Sequence, residues 1–352
     1  MNEVMALTAA GGAASALPPL PPIVVSLIQI AVLLGMLFTV AAYTVLIERR
    51  VIAWLQHRVG PNRAGPFGLL QPLADVLKLL TKEESTPPFT DRWLFIAAPA
   101  IIMVTSMLSF AVIPFGPEPY MVIANMNVGV LFFLALSSLG VYSIVLAGWS
   151  SNSKYAALGG LRATAQMISY ELSMSLALLA VALQAGTLSF NGIVEAQRDL
   201  WFVVLQPLGF IIFLVSVVAE SRRAPFDLPE AENEIVAGFH TEYSSMKFAM
   251  FFLGEYISVM LLSCVVVTAY FGGYLGPNIP FVPSVLEGPI YLLGKMGLFV
   301  FFFIWIRATY PRLRYDHLME LGWKYLVPLA VLNLVITAVI TLALPHLMVA
   351  PR

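Results

Sequence analysis

Phe248 to Phe271 reads FAMFFLGEYISVMLLSCVVVTAYF, a single apolar run broken by one acid, Glu255. A helix needs about 20 such residues to cross the hydrocarbon core of a bilayer, and this run is long enough. Seven others of the same kind flank it, near Ile23 to Ile47, Trp93 to Phe115, Val122 to Trp149, Ala163 to Leu188, Phe202 to Ala219, Ile290 to Ile306 and Tyr325 to Met348. The span at Phe202 to Ala219 is short and carries Pro207 near its start, so its boundary is the least defined. The pattern predicts an all-α integral membrane protein of about eight transmembrane helices. It divides into an N-terminal extension over residues 1–22 and a single polytopic membrane domain over 23–348.

Composition agrees with that reading. Of 352 residues, 59% are hydrophobic and 11% charged, against about a quarter charged in a soluble domain. A soluble core needs a polar shell that these residues cannot supply, so the bilayer must form the outside. The net charge of -1 offers no field for nucleic acid or another polyion. Cys264 is the single cysteine and lies inside the run quoted above, which leaves no disulfide framework and no thiolate set for an iron–sulfur cluster. The stretch Met1 to Pro22 is rich in Ala, Gly and Pro and lacks Lys and Arg. The charged start of a signal peptide is therefore missing, and the first apolar segment is expected to stay as a span.

Sidedness follows from the distribution of cations. The connections Glu48 to Arg92, Ser150 to Arg162, Glu220 to Lys247 and Arg307 to Lys324 hold 7, 2, 3 and 4 Lys and Arg residues. On the other side only Arg198 and Arg352 remain, and Lys295 lies within a span. By the positive-inside rule those four connections are cytoplasmic and both termini face the non-cytoplasmic side. Within the first connection, Leu69, Leu70, Leu73, Val76, Leu77 and Leu80 recur at helical spacing with Gln71, Asp75, Lys78 and Lys82 between them. This predicts a cytoplasmic-side amphipathic helix at the membrane surface, packed on other spans or a partner.

Three groups of residues could carry chemistry. Glu171 and Glu255 lie in spans among apolar residues. A carboxyl at that depth costs roughly 3 kcal/mol on insertion scales, so it usually faces a cavity or partner and marks an ion or proton path; the plainer alternative is a structural hydrogen bond between helices. The third basic connection places Glu220, Asp227, Glu230, Glu232, Glu234 and Glu242 against only Arg222 and Arg223 before Lys247. Interleaved Pro225, Phe226, Leu228, Ile235, Val236 and Phe239 predict that much of it is packed rather than solvated, and packed carboxylates share protons. Glu220 ends its span beside the paired arginines, so a cation at close range is expected to hold its charge. The first connection adds Glu48, Arg49, Arg50, Arg58, Arg63, Asp75 and Lys78, although any single Arg at a span end commonly snorkels or binds lipid headgroups. His57, His240, His317 and His346 lack metal-ligand spacing, so no metal is assigned. No GxGxxG or phosphate loop is present, so NADH is not expected to bind this chain.

Four segments together resemble one family. They are ERRVIAWLQHRVGPNRAGPFGLLQPLADVLKLLTKEE at Glu48 to Glu84, SKYAALGGLRATAQMISYELSMSL at Ser153 to Leu176, AESRRAPFDLPEAENEIVAGFHTEYSSMKFAMFFLGEY at Ala219 to Tyr256, and RATYPRLRYDHLMELGWK at Arg307 to Lys324. They are similar to the membrane subunit called H, or subunit 1 in mitochondria, of NADH:quinone oxidoreductase, complex I. The resemblance implies a bacterial inner-membrane subunit that forms the membrane end of a tunnel for ubiquinone, held as substrate and not covalently. It implies as partners the other complex I subunits, including the one bearing the terminal iron–sulfur cluster, together with membrane lipids. Carried over by position, the tunnel includes Arg49, Arg58, Asp75, Lys78, Phe252 and Arg307. The proton relay includes Glu171, Glu220, Arg223, Asp227, Glu230, Glu232, Glu234 and Glu255. The N-terminal extension and the Pro-rich loop Gly276 to Pro289 receive no role. Two alternatives compete: the membrane anchor of an energy-converting hydrogenase, and a stand-alone proton-coupled transporter. Transporters often show repeated halves, and no repeat is visible here.

Overall fold

Hydrocarbon offers backbone N–H and C=O groups no partners, and a helix satisfies them within one segment. The computed structural model is accordingly helical, with no strand among the described residues, which are 22–117, 121–228, 232–277, 280 and 282–343. The extension 1–21, Glu230 and the tail 344–352 lie outside them. Helix α1 (Pro22–Leu55) leads through a turn-rich connection to α2 (Gln71–Thr81), followed by α3 (Arg92–Ser109), α4 (Gly129–Ser150) and α5 (Lys154–Ala185). Short helices α6 (Phe190–Glu195) and α7 (Phe202–Leu205) precede α8 (Pro207–Glu220), and α9 (Glu232–Ile235) precedes α10 (Ser245–Tyr270). The chain then runs through α11 (Ser284–Thr309), α12 (Tyr315–Glu320), a π-helical turn at Leu321–Leu326 and α13 (Val327–Ala343).

Seven of these stretches are long and apolar enough to span a membrane, with α12, the π-helical turn and α13 acting as one. The eighth span is the short one foreseen at Pro207. Proline has no N–H to continue a helix, and the chain breaks between α7 and α8 at Gln206 (φ -130, ψ 62). The buried Gln206 side chain secures the break, its Nε2 donating to Ala180 O at 3.2 Å and Gln184 Oε1 at 2.5 Å. The backbone across the break stays paired, Gln206 N–H donating to Phe202 O at 2.8 Å and Phe210 N–H to Gln206 O at 3.0 Å, as a span in hydrocarbon requires.

Helix α10, which contains the run Phe248 to Phe271 but for its last residue, is the centre of the bundle: it packs on α1, α3 and α11, and most of its residues are buried. Helix α5 is the second axis, flanked by α4, α8 and α13. By contrast α1, α11 and α13 leave most of their apolar surface uncovered, as lipid-facing or partner-facing helices do. Small residues let α4 and α5 meet. A Cβ on Gly148 would lie 2.7 Å from Ala156 O and 3.2 Å from Gly160 Cα, the close approach through which helices pack in membranes. Next to Gly160 on α5, a Cβ on Gly159 would lie 2.6 Å from Gly238 Cα, so the acidic connection seats directly on this helix.

The expected amphipathic helix is α2. None of its residues is buried, and Leu73, Val76, Leu77 and Leu80 stay exposed. Its C-terminal end is clasped to the start of α10, where Ser245 Oγ donates to Leu79 O and Lys82 O at 3.0 and 2.9 Å. At the opposite end of α10, Lys295 from α11 donates to the carbonyls of Phe271, Gly273 and Leu275 at 2.7, 3.0 and 2.7 Å. That contact accounts for the lone cation inside a span.

Candidate functional site

The site is built on the turn that follows α8. The helix stops at Glu220, and Arg222 adopts a left-handed conformation (φ 54), uncommon for a residue with a Cβ. Glu220, Arg222 and Arg223 consequently point into different surroundings. Arg223 Nη1 donates to both oxygens of Glu48, at 2.9 and 2.7 Å, and its guanidinium lies 4.3 Å from the ring centre of Tyr256. Arg307, at the end of α11, donates to the same Glu48 carboxylate from the other side. Glu48 is only 4% exposed. Burial alone favours a neutral Arg223, but Tyr256, Glu48 and Glu255 outweigh it and hold the guanidinium more firmly charged than usual. Arg222 faces Glu255 of α10, with Nη1 3.3 Å from Oε1.

Glu220 stands differently from the expectation of a close cation. Arg222 and Arg223 are directed to Glu255 and Glu48, so neither closes an ion pair with it. Its nearest described donor is Ser137 Oγ on α4, 3.4 Å from Oε1. The physical reason is the left-handed turn, which carries both arginines past the carboxylate that precedes them. The next serine on α4, Ser138, donates to Glu171 of α5. Two adjacent hydroxyls thus serve the two acids. Glu220 and Arg222 both line a cavity of about 50 Å³ together with Thr105, Ser106, Ser137 and Ser258, large enough for more than one water. Glu171 instead opens on a groove of about 390 Å³ beside Ser138 and Trp323.

The acidic connection itself is held by a buried amide. Gln166 Nε2 donates to Ala219 O at the end of α8 and to Phe226 O in the loop, both at 2.8 Å. Phe226 and Leu228 are buried and Asp227 between them is partly covered, in agreement with a packed rather than solvated run. Among its described acids Glu234 is the exception, about half exposed and paired with Arg162 at 2.6 Å and Arg312 at 3.6 Å, and Val236, expected to pack, is instead exposed in a left-handed conformation (φ 65). The hydrogen bond from Arg162, with Arg312 nearby, holds its carboxyl below the usual carboxylate range. Glu230 and the side chain of Glu232 lie outside the described residues.

A model of the family described as NADH dehydrogenase matches residues 28–338. The chain belongs to the NADH dehydrogenase family. It is 54% identical to the NADH-quinone oxidoreductase subunit called H 1 of Geobacter metallireducens over 322 residues, 90% of this chain and 96% of that protein. Against the NADH-quinone oxidoreductase subunit called H of Rickettsia canadensis it is 50% identical over 331 residues, covering 93% and 96%. The family read from the four segments is therefore the right one.

For this member of the NADH dehydrogenase family, the residues assigned to a tunnel separate into three places. Arg307 borders Glu48, and Phe252 stacks on Phe248 and lies tilted against Tyr256, with ring centres 6.0 and 4.9 Å away. Asp75 of α2 forms a second group with Arg49 of α1 at 2.8 Å, Lys78 at 3.8 Å and Gln71 at 3.2 Å. Arg58 stands apart, exposed and bonded to Gln56 at 2.8 Å. Sequence reasoning left Tyr256 and Gln166 without roles, gave Glu48 no partner, and read Arg222 only as a cation for Glu220. Glu48 carried a signal, as an acid directly after a long apolar run and before two arginines; Gln166 and Tyr256 carried none. No group of three or more potential metal ligands occurs among the described residues.

Proposed function

We propose that this chain, as the membrane subunit called H of an NADH-quinone oxidoreductase, forms the membrane end of a quinone tunnel and starts the coupling of quinone reduction to proton translocation. The observation that supports it is the order of charges, with Glu48, Glu255, Arg222 and Glu220 buried and the others partly covered: Arg307, Glu48, Arg223, Glu255, Arg222, Glu220 and Glu171. Charges at close range in a poorly hydrated interior interact far more strongly than at a surface, so a proton taken up near Glu48 alters the balance at every later pair. The quinone headgroup is taken to approach from the Asp75 side, between α1 and α2, and to change the electrostatics around Arg307 and Glu48. Glu171, Glu220, Arg223, Asp227, Glu230, Glu232, Glu234 and Glu255 are assigned to the relay and its acidic entrance. The basic connections face the bacterial cytoplasm, both termini face the other side, and the membrane domain covers 23–348. A peripheral subunit carrying the terminal iron–sulfur cluster docks over the site. The relatives named above are described as quinone oxidoreductase subunits, which favours this reading over a hydrogenase anchor or a transporter.

Arg307→Ala and Asp75→Asn are expected to lower quinone reduction several-fold in assembled complex while NADH oxidation by a hydrophilic artificial acceptor stays near normal. Parallel loss of both activities would count against the tunnel.

A further inference from the structure

Arg222 has the means to serve two carboxylates. Its side chain is buried, with a residue exposure of 6%. Neither Nε nor Nη1 meets a protein acceptor in hydrogen-bond geometry, and the contact to Glu255 is an ion pair at 3.3 Å. Across the same cavity of about 50 Å³, Glu220 Oε2 is likewise buried and meets no protein donor. A buried guanidinium that leaves donors unused is costly, and here the two residues that bear the unused acceptor and the unused donors line one space. Serine and threonine hydroxyls form part of the wall, while Leu136, Leu261 and Leu262 close it with apolar surface. The backbone at Arg222 is also held in its left-handed conformation, the kind of local strain that accompanies switching positions. Arg223 is not free to take this part, because Glu48 occupies it with two hydrogen bonds.

We propose that Arg222 is a positioning residue that moves between Glu255 and Glu220, so that the charge on Glu220 decides which of the two ion pairs is closed. When Glu220 is ionised the guanidinium crosses the cavity to it and leaves Glu255 to the neighbouring Arg223. When Glu220 binds a proton the guanidinium returns to Glu255. No group other than that proton is exchanged. The charged groups around the pivot are Glu220 on α8, Glu171 on α5, Glu255 on α10 and Arg223 on the connection itself. This inference rests on the relay reading, yet its test does not depend on activity.

The test uses assembled complex and follows the infrared band of the Glu220 carboxyl, identified by its loss in Glu220→Gln, as a function of pH. Arg222→Gln and Glu255→Gln are expected to move its midpoint in opposite directions, each by about one pH unit, as removal of a neighbouring charge does. In the double variant the midpoint should equal that of Arg222→Gln, because Glu255 acts on Glu220 only by competing for the guanidinium. Additive shifts in the double variant overturn the proposal, as they would report two fixed charges. If Arg222→Gln does not assemble, the Glu255→Gln shift is measured in an Arg222→Lys background. The shorter ammonium should reduce it, and an undiminished shift overturns the proposal. Normal turnover and pumping in every variant, with the midpoints moving as expected, would instead refute the relay reading and leave the movement of Arg222 standing.

Discussion

Glu48 and Glu234 each face two arginines, yet the consequences differ because one pair of contacts is buried and the other is wet. Glu48 is 4% exposed between Arg223 and Arg307. Removing one partner of a buried ion pair typically costs about 3–5 kcal/mol, since the charges left behind lose their compensation. Glu48→Gln is therefore expected to reduce the amount of assembled complex on a native gel sharply, and to lower quinone turnover in what remains. Glu234 bonds Arg162 and Arg312 at the surface, where such pairs are worth about 1 kcal/mol or less. Its replacement by Gln should leave assembly close to normal and lower turnover less than Glu48→Gln does, because Glu232 and Glu230, two and four residues away, can carry a shared proton in its absence. The lowered carboxyl range of Glu234 also fixes the sign of its pH dependence. The contribution is present above the ordinary carboxylate pKa and is lost as pH falls through the lower folded value. Acidification through the range where free carboxylates titrate should thus leave the tie to Arg162 closed, and only stronger acid should release it. A transition of this tie near neutral pH, read as salt-sensitive proteolysis of the connection, would contradict that assignment.

Among the elements, the α4–α5 pair carries the site. Ser138 on α4 reaches Glu171 of α5 because the two helices run close together, a spacing set by the contact of Gly148 with Ala156 O and Gly160 Cα, while the adjacent Ser137 meets Glu220 of α8. A leucine at 148 would push a side chain into backbone atoms that cannot yield, and overpacking of this kind typically costs about 1–3 kcal/mol. Gly148→Leu is expected to lower the thermal midpoint of the assembled complex and to weaken coupling together with it, whereas Gly294→Ala on α11, where nothing lies within 4 Å of an added Cβ, should do neither. The broken span α7–α8 follows the same logic in reverse. Its short length was visible from Pro207, but the amide of Gln206 that makes the break tolerable is a contact with α5. Helical periodicity does not report such a contact.

At the scale of the whole molecule, sixteen of the nineteen Lys and Arg residues lie on the four connections that also bear the site. The sidedness proposed from that asymmetry predicts that Asn152→Cys reacts with an impermeant thiol reagent only from the cytoplasmic face and Asp199→Cys only from the opposite face. Reaction of Asn152→Cys in intact cells would reverse the map. Both positions are exposed, so absence of reaction reports sidedness rather than burial. The helical class, seven of the eight expected spans, the amphipathic helix α2 and the family were all legible in the amino-acid order. They depend on hydropathy and on spacing within one segment, which the chain carries locally. The partners of the charges were not legible. Arg223 meets Glu48 across 175 residues and Arg307 meets it across 259, and a left-handed turn at Arg222 turns both arginines away from the Glu220 beside them. Sequence alone placed carboxylates and arginines close together along the same basic connections. Which acid each arginine serves was decided by the packing of α1, α8, α10 and α11, because an ion pair in a low-dielectric interior depends on distances of a few ångströms that only the assembled helices set.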